Sequence, residues 1–184
     1  MPLNTYIDDH REDIIRSVQE LIRIPSMEGQ PMPGYPFGEG PTKALEHALA
    51  LGKRLGFKVK NHDGYAGYAQ IGEGSETIGI LAHLDVVPAG DGWTYPPFSG
   101  EIHNGRIYGR GAIDNKGPAV GAMYAMKAVV EAGLPLNKKV RIIFGTDEET
   151  QWRGIKHYLQ KEPMPDFGIV PDANYPVIHA EKGI

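Results

Sequence analysis

Two residues at the end of one apolar segment have side chains that could do chemistry. His83 and Asp85 lie at and just beyond the end of the run Ile78–Leu84. Such a run predicts a buried strand, and because alternate side chains of a strand share a side, the two residues should face the same way. Ligands of open α/β sheets bind at the carboxyl ends of the strands. The pair could close a strand as a hydrogen-bonded pair, or it could belong to a site, and these two residues alone leave both interpretations open.

Acidic residues follow two other segments of the same kind. Glu148 and Glu149 come after the run Val140–Gly145, and Asp172 comes after Phe167–Val170. If these strands and the one before His83 are parallel neighbours, their carboxyl ends lie at one edge of a sheet. The sequence then predicts one imidazole and several carboxylates at that edge.

A glycine-rich turn supplies a further acid, because Asp114 lies within Gly109–Gly117, just before a predicted helix. Carboxylates gathered in a partly buried site repel one another, and a divalent cation removes that conflict. Since the chain has no cysteine, a metal would be held by His, Asp and Glu, the ligand set of zinc, cobalt or manganese. Two neighbouring ions that share a carboxylate suit hydrolysis. Of the pair Glu148-Glu149, one acid could bind metal while the other acts as a general base, although such a pair in isolation is more often solvated at a helix start.

The elements expected around these residues alternate between helices and strands. Helical spacing of apolar residues and proline positions predict helices over Ile7–Ile22, Pro41–Leu55, Pro118 to about Gly133, and about Ile155–Gln160. Apolar and β-branched runs predict strands over Phe57–Asn61, Tyr65–Ile71, Ile78–Leu84, Glu101–His103, Arg106–Tyr108, Val140–Gly145, Phe167–Val170 and Val177–His179. This order predicts an α/β fold with a mixed, mainly parallel sheet flanked by helices.

Composition limits the classes of function. A length of 184 residues suits one domain, and a net charge of −4 gives no electrostatic footprint for nucleic acid or an anionic membrane. No segment has the length and apolar character of a membrane span, and the N-terminus lacks the apolar core of a signal peptide. We therefore expect a cytoplasmic protein with neither nucleic acid nor a membrane as its partner.

Four motifs occur in an order that resembles one enzyme family. They are His83-Leu-Asp85, the Gly109–Gly117 turn, Glu148-Glu149-Thr150 and Pro171-Asp172-Ala173. Together they resemble the motifs of the co-catalytic zinc peptidases, a group that includes carnosinases, aminoacylases, acetylornithine and succinyl-diaminopimelate deacylases, and bacterial dipeptidases. The surrounding residues are most similar to the dipeptidase V (Xaa-His dipeptidase) branch. The resemblance extends over essentially the whole chain.

The resemblance implies a site for two divalent ions, zinc first, with cobalt or manganese as alternatives. Asp114 would bridge the two ions. His83 and Asp172 would complete the protein ligands of one ion, and Glu149 would bind the other.

The resemblance also implies catalytic roles for Glu148 and Asp85. Glu148 would be the general base that takes a proton from water. Asp85 would hydrogen-bond the far nitrogen of His83 and so fix its tautomer. The peptide bond between Asp114 and Asn115 would be cis. The implied activity is hydrolysis of dipeptides, and the alternatives are an N-acyl-amino-acid amidohydrolase of the acetylornithine or succinyl-diaminopimelate deacylase type and a non-catalytic metal-binding module.

The resemblance finally implies that residues 1–184 are the N-terminal part of a zinc-exopeptidase-like catalytic domain. The resemblance implies that a lid domain follows, and after it a C-terminal completion that carries the last His ligand of the second metal. We therefore expect the second metal site to be incomplete and the isolated chain to be inactive or nearly so. We also expect an incomplete core to expose apolar surface through which copies of the chain self-associate.

Overall fold

The computed structural model describes residues 2–172, which contain both helices and strands. The helices are α1 Leu3–Asp9, α2 Arg11–Ile22, α3 Glu39–Arg54, α4 Lys116–Glu131 and α5 Arg153–Leu159. The strands are β1 Lys58–His62, β2 Ala66–Ile71, β3 Thr77–His83, β4 Glu101–His103, β5 Arg106–Tyr108, β6 Lys139–Gly145 and β7 Phe167–Ile169. The predicted strand Val177–His179 lies outside the described residues. Among residues 2–172, no helix combines the length and apolar character that a membrane span requires.

The main sheet has the strand order β1-β2-β6-β3-β7. Strand β3 lies between β6 and β7 and is parallel to both, whereas β1, β2 and β6 pair antiparallel. Strands β4 and β5 form a separate hairpin around Asn104-Gly105, with the predicted bounds. The predicted mixed α/β fold with flanking helices is confirmed.

The register of the parallel strands places their carboxyl ends at one edge of the sheet. His83 pairs with Gly145 of β6, and Ile80 pairs with Ile169 of β7. The residues that directly follow β6 and β7 therefore emerge beside the end of β3. The apolar runs of β3 and β6 suit this geometry, because parallel strands that are covered on both faces are nearly continuous in apolar residues.

Alternate side chains of β6 enter two apolar clusters on opposite faces of the sheet. Ile142 and Phe144 are fully buried in the larger cluster, which α2, α3 and α4 cover with residues such as Leu21 and Val120. Ile143 lies in the smaller cluster with Tyr158 of α5. The sheet therefore holds its strand ends rigidly between helices.

The predicted single helix Ile7–Ile22 is wrong in one respect, because two helices meet at His10. The His10 ring stacks on Tyr6 at 4.0 Å between centroids, and its Nδ1 lies 2.8 Å from the carbonyl oxygen of Tyr6. The backbone of His10 leaves helical geometry, with φ −105° and ψ 14°. A local contact between a side chain and the backbone therefore breaks a segment whose apolar spacing is continuous.

Two helices begin earlier than proline predicts. Helix α3 starts at Glu39 rather than Pro41, and α4 starts at Lys116 rather than Pro118. Both prolines occupy the third position of the first turn. An amide at this position has no intrahelical acceptor, so proline is tolerated there as well as at the first position.

Candidate metal centre

His83 closes β3 with its ring buried and its two nitrogens in different environments. The residue is 2% exposed. Its Nδ1 lies 3.1 Å from the backbone carbonyl oxygen of Asp85. A carbonyl can only accept, so this contact places a proton on Nδ1, and Nε2 is the nitrogen that could bind a metal once its own proton is lost.

Carboxylates from three separate segments surround the Nε2 atom of His83. Asp114 Oδ1 lies at 3.0 Å, Asp172 Oδ2 at 3.4 Å and Glu148 Oε2 at 3.9 Å. Ligand atoms of His83, Asp114 and Glu149 all lie within 4.8 Å of one another. The structure thus brings together all five residues for which the sequence predicts metal binding or general-base chemistry.

The side chain of Asp85 contacts the backbone and the imidazole that position this group. Its Oδ2 accepts a hydrogen bond of 3.0 Å from the backbone N–H of Glu149, and its Oδ1 lies 3.5 Å from Nδ1 of His83. Oδ1 is buried and has no hydrogen-bond partner among the described residues. The nearest contact of the imidazole is therefore the Asp85 carbonyl, while the carboxylate chiefly holds the turn that carries Glu149.

The glutamate pair lies on a turn that Asp147 organises. Asp147 is 1% exposed, and its Oδ2 accepts from the backbone N–H and the Nε of Arg153 at 2.8 and 3.0 Å. Its Oδ1 accepts from the N–H of Gly154 at 2.7 Å. These amides open α5, where a carboxylate satisfies otherwise unpaired donors. Of three consecutive acids, Asp147 thus bonds to the start of α5, and Glu148 and Glu149 remain available at the candidate site.

The loop that carries Asp114 is anchored by a buried lysine. The peptide bond Asp114–Asn115 is cis, as the family resemblance implies. Lys116 is fully buried, and its Nζ donates to the carbonyl oxygens of Leu21 and Ile24 at 3.0 and 2.7 Å. Burial lowers the pKa of Lys116 to about 7. Sequence reasoning missed Asp147, Asn115 and Lys116 as supports of the site, although each lies within two residues of a candidate ligand.

The charges at the site are unbalanced. Burial disfavours the imidazolium of His83, but the carboxylates of Asp85, Asp172 and Glu148 outweigh it and raise its pKa to about 9. Burial is the main cause that raises the pKa of both Glu148 and Glu149; neighbouring carboxylates add to the shift, and His83 opposes it. One imidazolium cannot neutralise so many acids, so the group retains excess negative charge.

The donor set fits a divalent metal. An imidazole nitrogen and carboxylate oxygens from different elements converge, and three protein ligands suffice for a zinc site that keeps an open position. Asp114 has a side chain that is 56% exposed, so the site is accessible from solvent. Ions that bind oxygen and nitrogen ligands would relieve both the burial of these carboxylates without a cation and their mutual repulsion, which together raise the pKa values of the glutamates.

Three other histidines among the described residues contact side chains outside this site. His103 contacts Glu101 at 2.8 Å, and His157 contacts Asp63 at 2.8 Å. His62 is buried against the rings of Tyr68 and Tyr158. His179 lies outside the described residues.

Comparison with known proteins places these residues in a family context. The chain is 56% identical over 176 residues to "Putative dipeptidase YtjP" of Bacillus subtilis (strain 168). It is 46% identical over 177 residues to the Beta-Ala-Xaa dipeptidase of Lactobacillus delbrueckii subsp. lactis. Each match covers 95% of this chain but 38% of the relative. The chain thus spans well under half the length of these relatives.

A solved structure and a family profile agree with the sequence relatives. The crystal structure of human carnosine dipeptidase 1 matches with a TM-score of 0.79 and 27% identity, over 93% of this chain and 40% of that one. The profile of peptidase family M20/M25/M40 matches residues 79–182, which is more than half of the chain and includes every candidate site residue. The chain belongs to peptidase family M20/M25/M40.

Proposed function

We propose that this chain is part of a metal-dependent dipeptidase. The observation that carries the proposal is the convergence of His83, Asp114 and Glu149 within 4.8 Å at the strand-end edge. The sequence relatives described above are named as dipeptidases, and the structural neighbour is a carnosine dipeptidase. A peptide bond of a small peptide is accordingly the proposed substrate.

The proposed site would take two divalent ions, zinc with cobalt or manganese as alternatives, and both would use the Asp114 carboxylate. His83 and Asp172 would hold one ion, and Glu149 would hold the other. The contacts of Asp114 and Asp172 with Nε2 of His83 support the first assignment. When bound, such ions polarise the scissile carbonyl and lower the pKa of water.

Glu148 is the proposed general base. Its carboxylate lies 3.9 Å from Nε2 of His83, farther than those of Asp114 and Asp172. In the proposed reaction it accepts a proton from the attacking water and delivers it to the nitrogen of the leaving amine. Burial raises its pKa, which brings a carboxylate closer to the range where it serves in both directions.

We further propose that residues 1–184 form the N-terminal part of a catalytic domain whose lid and C-terminal completion belong to a longer protein. The 38% coverage of the relatives supports this. Among the described residues, Asp114 and Glu149 are the candidate ligands of the second ion, so that ion needs a further ligand from elsewhere. Hydrolysis of dipeptides by the purified 184-residue chain at an enzyme-like rate would contradict this proposal.

The function is tested with a version of the protein extended to the length of its relatives. Loaded with zinc, cobalt or manganese, it should hydrolyse dipeptides in preference to N-acyl amino acids. The opposite preference would identify an amidohydrolase, and metal binding with neither activity would identify a non-catalytic module. Glu148→Gln should retain metal while losing turnover, with the exposed Glu46→Gln of α3 as a matched control. If Glu148→Gln lost metal, Glu148 would be the metal ligand and Glu149 the general base.

Within residues 2–172, β7 is an edge strand, and this supports self-association of the 184-residue chain. Phe167 and Ile169 are 65% and 51% exposed on this last strand of the described sheet. Exposed apolar edge strands pair readily with other chains. Sedimentation velocity should show concentration-dependent association that Phe167→Ser weakens and Leu134→Ser, a change at another exposed apolar residue, does not. A chain that stays monomeric at every concentration would contradict this expectation.

A further inference from the structure

The side chain of Asn115 is turned away from the helix that it begins. Asparagine is among the preferred residues at the N-cap, where its oxygen normally accepts from an amide of the first turn. Asn115 is the N-cap of α4 but makes no such bond. Its Nδ2 instead donates to the carbonyl oxygen of Pro171 at 2.9 Å, and its Oδ1 accepts from the backbone N–H of His83 at 3.4 Å. The residue is fully buried.

These two contacts join the three segments that carry the candidate ligands of the first ion. Asn115 directly follows Asp114 in the chain. Its amide bonds to the backbone of His83, and it bonds to the carbonyl of Pro171, which is covalently linked to the nitrogen of Asp172. One buried amide therefore touches the backbone at, or next to, each of these residues.

The segment that carries Asp172 has little other support from the sheet. Pairing between β3 and β7 includes Phe167, Gly168 and Ile169 and then ends. Asp172 lies three residues beyond the ladder, yet its Oδ2 is 3.4 Å from Nε2 of His83. The bond from Asn115 to Pro171 reaches this segment just before Asp172, so it can fix the distance across the site.

We propose that Asn115 is a positioning residue that holds Asp172 against His83 and Asp114, and so sets the affinity of the first metal ion. The inference rests on the proposed function. A carboxamide suits the position because it donates and accepts at once. A carboxylate of the same shape could not donate to Pro171, and an apolar side chain could do neither.

The test is cobalt binding by the metal-free 184-residue chain, measured by calorimetry and by the visible absorption bands that report coordination. Asn115→Leu keeps the branching and the number of side-chain heavy atoms and removes both hydrogen bonds, and Asn115→Ala removes them without adding apolar bulk. We expect either variant to weaken cobalt binding about 10- to 100-fold, the usual effect of losing a residue that supports a ligand, and to change the absorption bands. The control is Asn61→Leu, at an exposed position of β1 whose side chain caps the turn at Gly64.

A double-mutant cycle separates positioning through Asp172 from a general structural effect. If Asn115 acts through Asp172, Asn115→Ala should add little to the loss of affinity in Asp172→Ala. Additive losses would overturn the proposal, as would an unchanged cobalt affinity and spectrum in a folded variant. Circular dichroism checks the fold, and if neither Asn115 variant folds, the residue is structural and the proposal fails. If the unsubstituted chain binds no divalent ion, the proposed function fails first.

Discussion

Two clusters of charged side chains lie on the same sheet. In one of them the acid is neutralised by cations of the protein, and in the other the acids are not. The strand-end cluster consists of His83, Asp114, Glu148, Glu149 and Asp172. The arginine cluster consists of Arg141, Gln70, Tyr158, Glu162, Tyr68 and Lys60, and it lies where α5 and the turn after it cover β2 and β6. Both contain buried or partly buried glutamates, but the pKa shifts of these glutamates differ in sign.

In the arginine cluster the protein supplies every partner. Arg141 is 7% exposed, and its guanidinium donates to Gln70 at 2.9 Å, Tyr158 at 2.8 Å and Glu162 at 3.0 Å. Lys60 donates to the other oxygen of Glu162 at 2.8 Å. Burial alone would raise the pKa of Glu162, but these two cations outweigh it and lower the pKa.

In the strand-end cluster the same residue type lacks cations. Burial and neighbouring acids raise the pKa of Glu148 and Glu149, and the one imidazole is shared among several carboxylates. A cluster whose acid is paired with cations of the protein stabilises the fold, whereas a cluster of acids that lacks such cations is a candidate site for an external cation.

The largest effect should come from opening the arginine cluster. Arg141→Met leaves Glu162 and Gln70 without their main donor, and breaking a buried pair by removing one partner costs about 3–5 kcal/mol. Urea unfolding should show this loss, while cobalt binding by the folded variant stays unchanged. Lys60→Met removes a cation that is 53% exposed and should cost less than about 1 kcal/mol. Equal losses of unfolding free energy in the two variants would mean that Arg141 is not the main donor of the cluster.

The next effect is the stability that metal adds to the strand-end cluster. Zinc at a hundred times its dissociation constant should raise the free energy of unfolding by about 2.7 kcal/mol. Asp114→Ala should lose all of this gain because, in the proposed site, this acid would serve both ions, whereas Glu149→Ala should lose part of it. Urea unfolding with and without zinc, together with calorimetric titration, measures both. The reverse order of the two variants would contradict the bridging role of Asp114.

A matched pair of substitutions should then give opposite signs in the metal-free chain. Glu148→Gln removes one of several repelling carboxylates, so the free energy of unfolding in chelator should rise by about 0.5 kcal/mol. Glu162→Gln weakens charged hydrogen bonds to Arg141 and Lys60, so the free energy of unfolding should fall by about 1–2 kcal/mol. Two changes of the same sign would show that the strand-end acids are not in net repulsion.

The smallest effect is a pH dependence beside the arginine cluster. His62 is 4% exposed, and burial lowers its pKa, although Glu162 and Asp63 oppose the shift and Lys60 and His157 add to it. The unfolded chain therefore binds more protons than the folded chain just below pH 6.5, about the value of a free imidazole, so stability is lost as pH falls through this window. Urea unfolding at about pH 7 and pH 5.5 should show a smaller loss in His62→Asn. An equal loss would assign the pH dependence to other groups.

The sequence predicts the positions that the backbone pattern alone determines. Apolar runs predict β3 and β6, their parallel pairing follows from the alternation with helices, and the acids after each run then meet His83. The hairpin at Asn104-Gly105 is predicted to the residue because a two-residue turn determines its own register.

What the sequence does not predict depends on contacts between distant segments. The Asn115 side chain bonds to Pro171 rather than to its own helix, and Lys116 reaches carbonyls about 90 residues earlier in the chain. Arg141 stands in an apolar strand, and this charged residue in a buried run was the signal that could have predicted the second cluster. The break between α1 and α2 lies at His10, whose ring stacks on Tyr6. The spacing of apolar residues does not reveal such a contact.

The parallel alignment of β3 with β6 and β7 has a consequence for how the protein folds. The candidate ligands come from residues 83, 114, 149 and 172, and each crossover between the parallel strands must be complete before they meet. Contacts between such distant positions form slowly, because the intervening chain must first close its loops. A metal ion therefore meets its ligands only after the sheet has assembled, and it should slow unfolding far more than it speeds folding.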